Sequence, residues 1–483
     1  MEYGFLSLVP PLLTIALALI TKNVFLSLFI GIMTGSFVLN GFAPLASINA
    51  GLYSIVDSMS QGNTIIIASC LIVGAVIHLM EKSGGIDGFV NVVVKKMGMI
   101  KTKRGANLFT GILGLAVFTS GSLSCMVTGA VSRPVNDALK VPHEKSAFIV
   151  HATSTPWCVL FPFSGWLASM LGYITQSGDV SEADSMGVLF QSIGLNFYCI
   201  LAIALVFVLA FLQKDIGPMA KAEKRAAETG ALDDPSHVAK AEEVKSAVSG
   251  AKPRACNLLV PIGVLIVTIF AVMFVTGYNA TVAAGEAITA HAILSNSSSM
   301  QSLLWAVVLA LLTILIMTVC QKVFTMDEAI SEMFKGMSHM LSIAFILLLG
   351  FTMGTVVKSL GTGAYLSYLF EKLLSPALLP ALTFLIAMLI SFATGTSMGT
   401  MAIMASISIP MAATMGVSIP LVAGAMFGGS IFGDHCSPIS DTTIMTCSTT
   451  GCDIIDHVKT QMPYCIAVAV VSFVLYVIFG FVM

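Results

Sequence analysis

Long apolar runs alternate with short polar joints along almost the whole chain. Ten of them, Phe5–Ile20, Val24–Leu39, Asn63–Met80, Ser146–Gly172, Val188–Gln213, Asn257–Gly277, Gln301–Cys320, Ser338–Val357, Pro420–Phe432 with its continuation, and Met462–Met483, are read as membrane spans. A helix needs about 20 residues to cross a hydrocarbon layer. Two further apolar stretches, Ala106–Val131 and Pro376–Met415, are interrupted by clusters of Gly, Ser and Thr. One segment, Lys214–Arg254, is rich in Ala, Glu and Lys and reads as a partly helical linker.

Charge sets the direction of threading. Lys and Arg collect on the cytoplasmic side of a membrane protein. Placing Lys22 inside puts the N-terminus outside. The basic segments Lys82–Arg104, Arg133–Lys145 and Lys214–Arg254 then fall inside, and only Lys358 and Lys372 of the 23 basic residues fall outside. Tyr173–Gly187 carries Asp179, Glu182 and Asp184 and no basic residue, so it is expected outside. Met1-Glu2-Tyr3 has no basic residue, so the first run is expected to be retained rather than cleaved.

The same parity classifies the interrupted stretches. Ala106–Val131 has basic residues on both flanks and must enter and return from inside, with its tip at Ser120-Gly121-Ser122. Pro376–Met415 must enter and return from outside, with its tip at Thr394-Gly395-Thr396. Broken backbone cannot face lipid, so such hairpins line a cavity. A polar, proline-containing break is expected after each: His151-Ala152-Thr153-Ser154-Thr155-Pro156 and Asp434-His435-Cys436-Ser437-Pro438. The expected fold is an all-α polytopic membrane protein made of two inverted repeats, each with five spans and one re-entrant hairpin. The first repeat is 1–213 (hairpin 106–131, broken helix 146–172), the linker 214–256, and the second repeat 257–483 (hairpin 376–415, broken helix 420–447). Inverted repeats with paired broken helices belong to alternating-access transporters, whose sites lie where the breaks converge.

Composition agrees. Of 483 residues, 57% are apolar and 10% charged, against about 25% charged in a soluble domain. This excludes a soluble enzyme, a disordered chain and a basic nucleic-acid binder. Cys436, Cys447 and Cys452 form no C-x-x-C pair, so no metal site is read there.

Between Lys372 and Asp434 there is no charged residue. By subtraction, Asp434 and Asp441 are the carboxylates expected at membrane depth, where an acid is a functional residue by default. They stand in Gly433-Asp434-His435-Cys436-Ser437-Pro438-Ile439-Ser440-Asp441-Thr442-Thr443. Two carboxylates among hydroxyls make a hard-oxygen set suited to Na+. A carboxylate removed from water holds a proton more tightly and a cation displaces it, which is the minimum chemistry of an antiporter. Each Asp can equally cap a half-helix. Ser120, Ser122, Ser154 and Thr155 can supply neutral ligands from the first half. Arg133 with Asp137 is read either as a topogenic charge and a cap or as a carboxylate-binding pair.

This run resembles the signature of NhaC-type sodium/proton antiporters, a family within a superfamily of hairpin-bearing, inverted-repeat ion transporters. The resemblance implies a carrier of the bacterial inner membrane, a homodimer whose transport domain moves against a scaffold. It implies an ion site containing Asp434 and Asp441; the residues of the break and the second tip, His435, Ser437, Ser440, Thr442, Thr394, Thr396 and Ser397, are read around it. The family also includes exchangers of small organic acids. The leading expectation is therefore Na+/H+ antiport, with Na+ and H+ as transported ions and no cofactor. The alternative is Na+- or H+-coupled movement of a small organic acid or amino acid. Gly395-Thr396-Ser397-Met398-Gly399 formally fits G-x-S-x-G, and an intramembrane serine protease pairing Ser397 with His435 is a remote alternative.

Overall fold

The computed structural model describes residues 3–21, 23–96, 100–118, 120–176, 178–234, 252–285, 287–289, 292–293, 296–362, 365 and 375–483. Lys22, Thr119, Lys372 and linker residues 235–251 lie outside the described residues. Every regular element among those described is helical. After a short 3-10 turn come α1 (Val9–Thr21), α2 (Val24–Leu39), α3 (Pro44–Asp57), α4 (Gln61–Lys82), α5 (Gly85–Lys96), α6 (Lys103–Ala116) and α7 (Gly121–Ala138). Next are α8 (His143–Leu160), α9 (Leu167–Thr175), α10 (Glu182–Gly194), α11 (Phe197–Leu212), α12 (Gly217–Thr229), α13 (Cys256–Ala284) and α14 (Ser299–Cys320). The chain closes with α15 (Met326–His339), α16 (Leu341–Ser359), α17 (Leu379–Thr394), α18 (Ser397–Met415), α19 (Ile419–Cys436), α20 (Asp441–Thr450) and α21 (Ile454–Val482).

Nine of the described helices are long and apolar enough to cross a membrane. The outermost turn large apolar side chains outward, such as Val267 and Phe274 of α13, Ile316 of α14 and Val470 of α21, all exposed. Exposed apolar surface on that scale is tolerated only against lipid or another protein. The chain is thus an all-α, multi-pass membrane protein. Helix starts follow local chemistry. Asn23 caps α2 by accepting from the Leu26 N–H, Asp453 accepts from Ile455 and Asp456 at α21, and Thr325 with Glu328 forms a capping box at α15.

The helices pack as two groups. One contains α6–α8, α11 and α17–α21, with α17 against α19, α18 against α19, and α7 against both α8 and α20. The other contains α1–α5 and α13–α16, with α13 on α14 and α4 on α14 and α15. The groups meet where α16 crosses α18 and α4 crosses α9. Within the first group, α8 is buried almost end to end.

Two local expectations are corrected. Val188–Gln213 is not one helix, because α10 ends at Gly194 and α11 starts after an Asn196 cap. The first break does not fall at His151–Pro156. There α8 continues through Pro156 to Leu160, and the chain breaks over residues 161–166. A following proline favours extended backbone in the residue before it, a tendency that Thr155 before Pro156 does not follow and Phe161 before Pro162 does. Phe161, before Pro162, has φ −85° and ψ 107°. Ser437, before Pro438, has φ −84° and ψ 125° and ends α19 in the same way. Within the polar stretch of α8, Thr153 turns back on its own helix, donating to the Ile149 carbonyl at 2.7 Å, while His151 and Thr155 reach neighbouring helices.

Candidate functional site

Three helix ends build the site. Gly395 ends α17 with φ +66°, a left-handed conformation that favours glycine. A Cβ there would lie 2.8 Å from Ile439 Cγ1 and 3.1 Å from Ile439 backbone, so glycine lets the second hairpin tip touch the second break. Thr396 then caps α18 by accepting from the Gly399 N–H. Gly433 allows a similar approach further down, since a Cβ there would lie 2.0 Å from Ser391 Oγ. At the break itself the Thr443 hydroxyl reaches the carbonyls of Asp434 and Ser437, both at 3.0 Å. Carbonyls freed at the end of a helix need such a donor when water is excluded.

These ends enclose a cavity of about 460 Å3. Its polar lining comes from the first tip (Ser120, Ser122), the second tip (Thr396, Ser397) and the second break (Asp434, Asp441, Thr442), with His339 and Ser342 on the opposite wall. The first break reaches it through Gly165 and Trp166. The two carboxylates differ in depth. Asp434 is 2% exposed and accepts from Ser440 Oγ at 3.3 Å, with Ser397 against it. Asp441 is exposed to the cavity and accepts from Ser122 Oγ at 2.6 Å, so the first hairpin tip is tied directly to the second break.

The other residues singled out in the sequence stand behind this lining. Thr394 donates to its own helix, to the Ile390 carbonyl. His435 turns away, with Nδ1 3.1 Å from the Tyr198 hydroxyl and Nε2 buried without a hydrogen-bond partner among the described residues. Ser437 and Ser154 are buried, their hydroxyls without a hydrogen-bond partner among the described residues, and Thr155 packs against Cys125. Arg133 bridges to Asp137 at 3.6 Å beside Gly451 and does not line the cavity.

Sequence reasoning missed His457 and Gln461 of α21, which meet His151 of α8. His151 Nε2 lies 2.9 Å from Thr442 Oγ1, and its Nδ1 lies 3.0 Å from His457 Nε2. Gln461 donates to the His435 carbonyl at 2.6 Å. The one local signal was His457, Thr460 and Gln461 at helical spacing on one face near the start of α21, where Asp456 and Lys459 also stand.

Comparison with known proteins places this geometry. The model of the Na+/H+ antiporter family matches residues 157–481. An uncharacterised protein of Haemophilus influenzae is 30% identical over 98% of this chain and 91% of its own length. The malate-2H+/Na+-lactate antiporter of Bacillus subtilis is 33% identical over 30% of this chain and 31% of its own. Among solved structures, Neisseria gonorrhoeae MtrF, described with a class of antimetabolite efflux pumps, superposes with a TM-score of 0.57 at 14% identity. That likeness covers 90% of this chain and 85% of MtrF, and it concerns the fold alone. With two thirds of its length in the family's model, the chain belongs to the Na+/H+ antiporter family and is a secondary transporter of a lipid bilayer, not an enzyme.

Proposed function

We propose that this chain exchanges Na+ for H+ by alternating access, with Asp434 and Asp441 holding the sodium ion. The supporting observation is the meeting of both hairpin tips and the second break around two carboxylates in one cavity. Asp434 takes Na+ and H+ in turn, because it is the buried acid. Asp441 holds the first tip in place through Ser122 and tunes the field. Ser120, Ser122, Thr396, Ser397, Ser440 and Thr442 supply neutral oxygens, while Thr394, His435, Ser437, Ser154 and Thr155 support them from behind.

We read the frame as two inverted repeats, 1–213 and 257–483, joined by a cytoplasmic linker at 214–256. The helix order supports this. Two apolar helices, an amphipathic one of 14 residues and a third apolar one (α1, α2, α3, α4) recur as α13, α14, α15, α16. The pair α6–α7 recurs as α17–α18, and the interrupted α8–α9 as α19–α20. In this frame both termini lie outside a bacterial inner membrane, and two copies of the chain form the working unit.

The test is Na+-dependent proton movement in proteoliposomes, with Li+ and K+ as controls. Its absence in a folded preparation overturns the reading. A second reading is favoured by size, since about 460 Å3 is far more than one Na+ fills. In it a small organic acid or amino acid travels with the ion, and flux then requires that solute. Running the assay with and without a library of such solutes separates the two.

A further inference from the structure

Three imidazoles lie together behind the second break with no task in ion binding. His151 of α8, His435 of α19 and His457 of α21 are fully buried. The His151 ring is 4.8 Å from that of His435 and 5.3 Å from that of His457. Hydrogen bonds in series lead from this cluster to the carboxylate. His457 Nε2 meets His151 Nδ1 at 3.0 Å, and His151 Nε2 meets Thr442 Oγ1 at 2.9 Å. Thr442 Oγ1 meets Ser440 Oγ at 2.9 Å, and Ser440 Oγ meets Asp434 Oδ1 at 3.3 Å.

Donor chemistry fixes the direction of this series. The Gln461 side-chain atom 2.6 Å from the His435 carbonyl must be its amide nitrogen, because a carbonyl only accepts. The same nitrogen faces His151 Nδ1 at 3.5 Å. Nδ1 is therefore the bare nitrogen of His151, and the ring proton sits on Nε2, pointing at Thr442. His457 must donate to Nδ1 from its Nε2. This leaves His457 Nδ1 as a bare acceptor, in keeping with its lack of a partner. At the other end a carboxylate only accepts, so Ser440 donates to Asp434 and Thr442 donates to Ser440. Each bond points toward Asp434.

The consequence falls on Thr442, which lines the cavity. A hydroxyl has one proton and two lone pairs. The proton goes to Ser440, and one lone pair takes the His151 N–H. The second lone pair remains for the cavity. With the opposite tautomer Thr442 would donate to His151, and Ser440 would lose the donor that frees its own proton for Asp434.

We infer that His151 is a positioning residue for ion exchange: held in one neutral tautomer by His457 and Gln461, it takes a lone pair of Thr442 and not its proton, so that Thr442 donates to Ser440 and the Ser440 proton is left for Asp434. This rests on the reading of Asp434 and Asp441 as the sodium site. The experiment measures Na+-dependent proton exchange in proteoliposomes, as a function of Na+ and of pH, for His151→Ala, His151→Gln, His457→Gln and Asp434→Asn. His151→Ala should raise the half-saturating Na+ concentration roughly tenfold, the size of one hydrogen bond in a charged network. His151→Gln should restore most of it, because its amide N–H2 stands where Nε2–H stood. His457→Gln should keep wild-type Na+ affinity within a few-fold, since its amide still offers a donor. The pH midpoint should stay fixed in all three. Wild-type Na+ dependence in His151→Ala overturns the inference. So does a His151→Gln protein that loses exchange or shifts the pH midpoint, since the imidazole itself would then carry the proton. If His151→Ala fails to fold, judged by its melting temperature in detergent, the two Gln variants decide. Exchange surviving in Asp434→Asn instead overturns the reading of the site beneath it, whatever His151 does.

Discussion

Asp434 and Asp441 sit seven residues apart on opposite sides of Pro438 and share one cavity. Their surroundings differ, Asp434 being buried and Asp441 exposed to the cavity, and the proposed exchange gives them different work. Asp434→Asn should abolish Na+-coupled proton exchange, because an amide cannot titrate. Asp441→Asn should retain transport with weaker Na+ affinity, since the amide keeps one oxygen for Ser122. Proteoliposome assays over a Na+ series check both, and the reverse pattern would exchange the two roles. Much of this was legible in the sequence because it is local: one run of eleven residues carries the acids, the hydroxyls and the proline. The histidine series was not legible. His151 and His457 are 306 residues apart, and nothing in either neighbourhood points to the other. Only packing of α8 against α20 and α21 brings them together.

At the scale of single elements, long apolar helices announce themselves, and amphipathic ones of similar length do not. In α3 the exposed apolar positions Leu45, Ile48, Leu52 and Val56 are spaced three or four apart, so no continuous run marks the helix. The same holds for α15. The first break was hidden for the opposite reason. Its proline stands among aromatic residues, Phe161-Pro162-Phe163, while the conspicuously polar stretch before it remains helical. Two predictions belong here. Pro156→Ala supplies a missing helix N–H without moving a break, so it should raise or maintain the melting temperature; a proline inside a helix costs about 3 kcal/mol. Pro438→Ala should leave the protein folded but reduce exchange, because α19 can then extend past Cys436 and carry Asp441 away from Ser122. The contrast is read from melting curves and initial rates together. Gly395→Ala should cost about 1–2 kcal/mol in backbone strain alone, with a further loss from the Ile439 contact. A drop in melting temperature accompanied by slower exchange is the expected outcome.

Across the whole molecule, the linker clasps the first group of helices. Lys103 of α6 pairs with Glu223 of α12 at 3.1 Å, Arg225 of α12 with Glu144 of α8 at 2.9 Å, and Lys145 of α8 with Asp215. Before the apolar part of α8, His143 is held between Asp137 at 3.0 Å and Asp233 at 2.8 Å. Arg133, Lys140, Glu144 and Arg225 are the other charges nearby. Burial alone would push the His143 imidazole down, but hydrogen bonds to Asp137 and Asp233 outweigh it and push it up to about 9. A raised histidine stabilises the clasp fully below its unfolded value of about 6.5. That contribution is lost as pH rises through about 9. It amounts to at most about 3 kcal/mol, and less because both carboxylates are partly in water. In detergent, a cysteine replacing buried Ala222 of α12 should react with a maleimide slowly at neutral pH. Relative to a cysteine at Glu228, the reaction should quicken above pH 9, and His143→Ala should flatten that rise. A further consequence lies in the opposite wall of the cavity. Apart from His339 and Ser342, it offers Ile77, Met340, Ile343 and Ile346, side chains without a donor or an acceptor. Every carboxylate at the cavity and most of its hydroxyls belong to the group built on α7 and α17–α20. A hydrated ion bound there has almost nothing to unbind from on the far side. Under the alternating access proposed above, that wall would serve as a bearing surface, over which cargo and its polar cradle slide with few hydrogen bonds to break. Ile343→Asn would give the bearing a handle, and it should slow turnover while leaving the half-saturating Na+ concentration where it was.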